Sequence, residues 1–96
     1  MQIKDLVSRA YTNAVTKGFY EEQKSVADVL MQVVSEVSEA LEAHRRGDLT
    51  EFRREWADVW VTVASVSGYF GFPVTQDIIS KMDYNETRPP KHGKLY

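Results

Sequence analysis

The sequence predicts an all-α protein, a four-helix bundle, and three observations carry that reading. Apolar residues recur at three-and-four spacing in four separate stretches. Turn-forming residues, among them Gly18, Gly47 and Gly71-Phe72-Pro73, fall between those stretches, and no segment alternates apolar and polar residues for long enough to make a strand. Short links between amphipathic helices place consecutive helices side by side, so a bundle is the economical architecture.

The first helix is expected from about Gln2 to Thr16, where Ile3, Leu6, Val7, Ala10, Tyr11, Ala14 and Val15 share one side, and Gly18 is its stop. Phe19 and Tyr20 follow in the connection, able to stack on a nucleobase or to pack over the helix ends. The second helix begins near Ser25, whose hydroxyl with Asp28 three residues on has the spacing of an N-cap. Its apolar stripe is Val26, Leu30, Val33, Val34, Val37 and Leu41, and Gly47 ends it. Asp48-Leu49-Thr50-Glu51 has the spacing of a capping box and opens the third helix.

That helix is apolar nearly all round from Trp56 to Val66, which suits the middle of a bundle or a subunit interface. Tyr69 to Pro73 reads as a tight connection. Thr75 is the expected cap of a fourth helix running to about Glu86, with Val74, Ile78, Ile79 and Met82 on its buried side. Pro89 and Pro90 stop it. The organisation expected is a helical domain over residues 1–88 and a basic tail over 89–96.

Composition limits what such a chain can do. At 96 residues a monomer buries only roughly 60–65% of its unfolded surface, so help from a partner chain is expected. There is no cysteine, which excludes disulfides, thiolate metal sites and cysteine nucleophiles and fits a cytoplasmic setting. No signal peptide or membrane span is legible. The net charge of −2 hides an acidic body, because Arg88, Lys91 and Lys94 add positive charge after residue 87 with no acid among them. Basic charge confined to a short tail disfavours nucleic-acid binding.

The candidate chemistry lies in two acidic pairs, Glu36-x-x-Glu39 and Glu55-x-x-Asp58. Carboxylates three residues apart project from one side of a helix, so two facing helices offer four oxygen ligands to one small volume. The costs of crowding those charges call for opposite charge, and a divalent metal supplies it. Taken alone, Glu36 and Glu39 read better as solvent-facing residues of a surface helix. Asp58 is more telling, because an acid in so apolar a segment must be solvated through a cleft, paired, or bound to metal.

The residues three before His44 and His92 are Leu41 and Pro89, so the Glu-x-x-His element of di-iron bundles is absent. An all-carboxylate set favours Mg²⁺, with Mn²⁺ as a substitute, and such ions are commonly shared with phosphate oxygens. Lys81, Asn85 and Arg88 form a polar stripe at helical spacing on the fourth helix, with Lys91 and Lys94 beyond it, and these can balance phosphate charge. Tyr84 joins Phe19 and Tyr20 as a stacking candidate. No Gly-rich phosphate loop is present.

Taken together, Glu36-x-x-Glu39, Glu55-x-x-Asp58, Lys81-Met82-x-Tyr84-Asn85-x-x-Arg88-Pro89 and Lys91-His92-Gly93-Lys94 resemble the signature of MazG-like all-α nucleoside triphosphate pyrophosphohydrolases. The resemblance covers most of the chain. It implies cleavage of the α–β phosphoanhydride of a (d)NTP to (d)NMP and pyrophosphate, with Mg²⁺ on Glu36, Glu39, Glu55 and Asp58 as the catalytic set. It implies substrate contacts from Lys81, Tyr84, Asn85, Arg88 and Lys91, and a homodimer or homotetramer. Ser35 departs from the family's usual adjacent glutamates, which leaves an alternative open: a catalytically weak or inactive helical nucleotide-binding module.

Overall fold

Helix boundaries follow from capping chemistry that is local to each end. The computed structural model describes residues 1–90 as α1 (Ile3–Thr16), α2 (Val26–Arg45), α3 (Leu49–Phe70) and α4 (Val74–Thr87), with no strand among the described residues. At the start of α1 the Asp5 carboxylate accepts the Gln2 backbone N–H at 3.1 Å. Ser25 Oγ accepts Asp28 N–H at 3.1 Å and caps α2.

The link between α2 and α3 is only Arg46-Gly47-Asp48. Gly47 takes φ +72°, a left-handed conformation that costs glycine little. Gly47 N–H then reaches His44 C=O at 2.9 Å and Asp48 N–H reaches Ala43 C=O at 3.1 Å, the paired bonds that close a helix C-terminus. Asp48 Oδ1 in turn accepts Glu51 N–H at 3.0 Å, so one residue finishes α2 and starts α3. With so short a link the two helices form an antiparallel hairpin. Val29, Ala40 and Ala43 of α2 and Val59 of α3 are buried, and the alanines let the two backbones approach closely.

α1 packs on α3 at the far end of the hairpin, where Gly68 makes the approach possible. A Cβ at that position would sit 2.5 Å from Tyr11 Cβ. The α1–α2 connection is tied down by aromatic residues. Tyr20 stacks on Tyr69 with ring centroids 4.7 Å apart, and its hydroxyl shares a 2.7 Å hydrogen bond with the buried Ser65. Tyr69 Oη accepts Lys24 N–H at 2.7 Å and donates to Lys24 C=O at 3.1 Å. Tyr20 therefore packs within the fold, while Phe19 beside it stays exposed.

Several expectations are corrected. Tyr69 and Phe70 belong to α3, which runs to Phe70 and ends at Gly71. Pro73 rather than Thr75 holds the N-cap position of α4, and no side chain caps that end. The expected buried side of α4 is not buried: Ile79 and Met82 are 45% and 50% exposed, because among the described residues α4 packs substantially against α1 alone. The apolar stripe of α2 also stays largely open, and the α3 residues Trp56, Trp60, Val61 and Val63 are exposed. No helix among the described residues is long and apolar enough to cross a membrane.

Candidate metal centre

The first acidic pair meets one member of the second because the short link sets the register of the hairpin. Glu36, Glu39 and Glu55 each place a carboxylate oxygen so that the three lie within 4.8 Å of one another. Glu36 and Glu55 are half-buried and Glu39 is exposed, so the cluster sits at a solvent-facing seam between α2 and α3. Asp58 is exposed and stands outside this trio, but its charge reaches Glu36. In the apolar segment from Trp56 to Val66 it is solvated directly rather than through a cleft.

Crowded carboxylates hold their protons more tightly. Partial burial, followed by the charges of Glu39 and Asp58, raises the Glu36 carboxyl above its ordinary value. Glu55 is pushed up to about 7, first by a hydrogen bond shared with Glu51, then by burial and by Glu39. A hydrogen bond between two carboxyl groups exists only while one carries a proton. When Glu55 ionises, its shielded Oε2 has no donor to meet. With Glu36 and Glu39 crowding the Glu55 carboxylate, a proton or a bound cation would relieve the repulsion. All-oxygen donors in this number suit Mg²⁺ or Mn²⁺.

Glu51 is a member of the cluster that the sequence reading assigned only to helix capping. Asp48 does cap the N-terminus of α3, but the Glu51 carboxylate turns along the helix toward Glu55 and toward Arg54 Nη1 at 3.6 Å. The available signal was its position one turn before Glu55, which puts both on one side of α3.

The cationic residues occupy a different part of the fold. Lys81 Nζ and Arg88 Cζ lie 5.1 and 5.4 Å from the centroid of the exposed Tyr84 ring, so both cations stand over one aromatic ring at the end of α4. Asn85 is half-buried on the same helix. α4 does not pack substantially on α2 or α3, so the fold does not bring Lys81, Tyr84, Asn85 and Arg88 together with the carboxylates. Lys91 and Lys94 lie outside the described residues.

What the geometry defines is a class of site, a carboxylate cluster on a helical hairpin. For the chain itself, no protein-family model, no curated protein and no solved structure gives a match.

Proposed function

We propose that this chain is a Mg²⁺-dependent nucleotide pyrophosphohydrolase of the MazG-like type, cleaving the α–β phosphoanhydride of a (d)NTP to (d)NMP and pyrophosphate. The observation that carries the reading is the convergence of carboxylate oxygens of Glu36, Glu39 and Glu55 within 4.8 Å of one another, with one Glu55 oxygen, Oε2, shielded from solvent and without a donor. Mg²⁺ bound there supplies Lewis acidity toward phosphate oxygens and lowers the pKa of a water molecule.

The chain's own residues divide the remaining work. Glu36, Glu39 and Glu55 hold the cation, and Asp58, exposed beside Glu36, completes the negative field and extends the site toward solvent. Glu51 steadies Glu55 from the preceding turn. Lys81 and Arg88, with Lys91 beyond them, neutralise phosphate charge, Asn85 offers a hydrogen-bond donor, and Tyr84 offers a π-face to the base. The active species in this reading is a cytoplasmic homodimer or homotetramer.

Pyrophosphate release from a panel of ordinary and modified (d)NTPs, with Mg²⁺, Mn²⁺ or EDTA, tests the proposal. Metal-dependent release that falls by orders of magnitude in Glu39→Gln and Asp58→Asn is the expected result. Full activity in both variants sinks the assignment. The separation of α4 from the carboxylates, together with Ser35, favours one second reading, a nucleotide-binding module with little turnover. Nucleotide binding without product across the panel selects it.

A further inference from the structure

Negative charge gathers at the carboxylate seam faster than the fold supplies positive charge to it. Glu36, Glu39, Glu51, Glu55 and Asp58 meet there, and a triphosphate would add roughly four more negative charges, which bound Mg²⁺ offsets only in part. Lys81 and Arg88 stand on α4, away from the seam. The α2/α3 hairpin itself carries no lysine, and its cations are Arg45, Arg46, Arg53 and Arg54.

Position separates these four. At about 100° per residue, Arg54 lies roughly 40–100° round α3 from Glu51, Glu55 and Asp58, on the side of the carboxylates. Arg53 lies roughly 140–160° from the same three acids, on the opposite side. Arg45 Nη1 is already hydrogen-bonded to Glu42 at 3.1 Å. Arg46 belongs to the link, about 10 Å along the helix axis from Glu39. Arg54 is therefore the cation that the hairpin sets beside the acids.

Arg54 is tethered to the cluster without being consumed by it. Its Nη1 is 3.6 Å from Glu51 Oε2, an ion pair beyond hydrogen-bonding distance, and its side chain is 74% exposed. Glu51 in turn shares a hydrogen bond with Glu55. Charge thus holds the guanidinium at the edge of the site, and none of its N–H donors is spent on Glu51. An exposed pair of this kind contributes little to stability, so exchanging Glu51 for a phosphate oxygen costs little. A guanidinium also matches two phosphate oxygens at once, which an ammonium does not.

We infer that Arg54 is a substrate-binding residue of the carboxylate site: when nucleotide binds, its guanidinium leaves Glu51 and takes phosphate oxygens of the triphosphate held at Glu36, Glu39 and Glu55. This rests on the reading of that cluster as a Mg²⁺ and nucleotide site, and it adds a phosphate contact to it. Acid and base then come from one hairpin, so phosphate charge is met beside the cation whatever α4 contributes. Arg53, adjacent in sequence and equal in charge, points away and has no such role.

Calorimetry with inorganic tripolyphosphate in the presence of Mg²⁺, on the full chain, reads this contact without knowledge of the base. Arg54→Gln should weaken tripolyphosphate binding about 10- to 100-fold and Arg54→Lys less, while Arg53→Gln, which removes the same charge from the other side, should weaken it less than about 2-fold. Binding of Mg²⁺ alone should hold or tighten in Arg54→Gln, because a positive charge beside the carboxylates is gone; damage to the fold would weaken both. Unchanged tripolyphosphate binding in Arg54→Gln overturns the inference, as does equal weakening in Arg53→Gln, weaker binding of Mg²⁺ alone in Arg54→Gln, or a wild type that binds no tripolyphosphate. Pyrophosphate release from (d)NTPs separates this from the reading beneath it. Release by the wild type with tripolyphosphate binding unmoved in Arg54→Gln removes Arg54 alone, whereas the expected binding pattern with no release supports Arg54 and selects the nucleotide-binding module.

Discussion

On the proposed reading of the carboxylate cluster as a Mg²⁺ site, lowering the pH should loosen the cation well above the range in which carboxylates ordinarily titrate. Glu55 is held up to about 7, against 4.5 for a free glutamate, so at neutral pH the cation competes with a proton for the same oxygens. With one such proton to displace, the apparent dissociation constant rises by a factor of about 11 at pH 6, about 2 at pH 7 and about 1.1 at pH 8; for an ordinary carboxylate, the change over that range is below about 5%. Titration calorimetry with Mg²⁺ at pH 6, 7 and 8, at constant ionic strength, measures this directly. Proton uptake by the buffer supplies a second reading. A raised carboxyl pKa also sets the sign for the metal-free fold. The contribution of Glu55 to stability is fully present below about pH 4.5 and is lost as pH rises through about 7, so the metal-free protein should melt lower at pH 8 than at pH 5.5 on this account. Added Mg²⁺ should restore most at pH 8. Equal Mg²⁺ affinity at pH 6 and pH 8 would refute the reasoning, as would the same pH dependence in Glu55→Gln.

Three structural substitutions check the frame around the site by chemical denaturation. Gly68→Ala gains about 1 kcal/mol in helix propensity but drives a methyl to 2.5 Å from Tyr11 Cβ, an overpacking cost of roughly 1–3 kcal/mol, so a net loss of stability is expected. Tyr20→Phe leaves the buried Ser65 hydroxyl without its 2.7 Å partner and should cost about 1–2 kcal/mol, and an unchanged midpoint would mean that this hydrogen bond contributes nothing. Ser25→Ala removes the cap on Asp28 N–H and should cost about 1 kcal/mol.

Helix starts were legible wherever their chemistry is local. Ser25 and Asp48 cap as their spacing predicts, since a cap needs only the residue three positions on. The acidic pairs were legible for the same reason, three-residue spacing on one helix side, and the hairpin register then brought Glu55 of the second pair to both members of the first while leaving Asp58 outside the trio. What stayed hidden depends on distance in the chain. The bonds from Tyr20 to Ser65 and from Tyr69 to Lys24 each join residues 45 apart, and nothing beside either tyrosine announces its partner. Glu51 has two spacing partners, Asp48 before it and Glu55 after it, and a pattern alone does not say which one its carboxylate faces. Pattern also identifies which side of a helix is apolar without saying what covers it. The stripes of α2 and α4 are apolar as expected, yet they remain open within one chain, so Val34 and Met82 read as core from sequence and are half or more exposed.

The three-residue link Arg46-Gly47-Asp48 acts as a gauge for the carboxylate cluster two turns away. Its hydrogen bonds to Ala43, His44 and Glu51 leave no slack, so the phase of α3 against α2 is set at the turn. One residue inserted there would rotate α3 by about 100° relative to α2, carrying Glu55 away from Glu36 and Glu39 with every carboxylate still in the sequence. The spacing across this turn is therefore as much a part of the site as the acids are, and among related chains a change in its length would be as telling as the loss of a ligand.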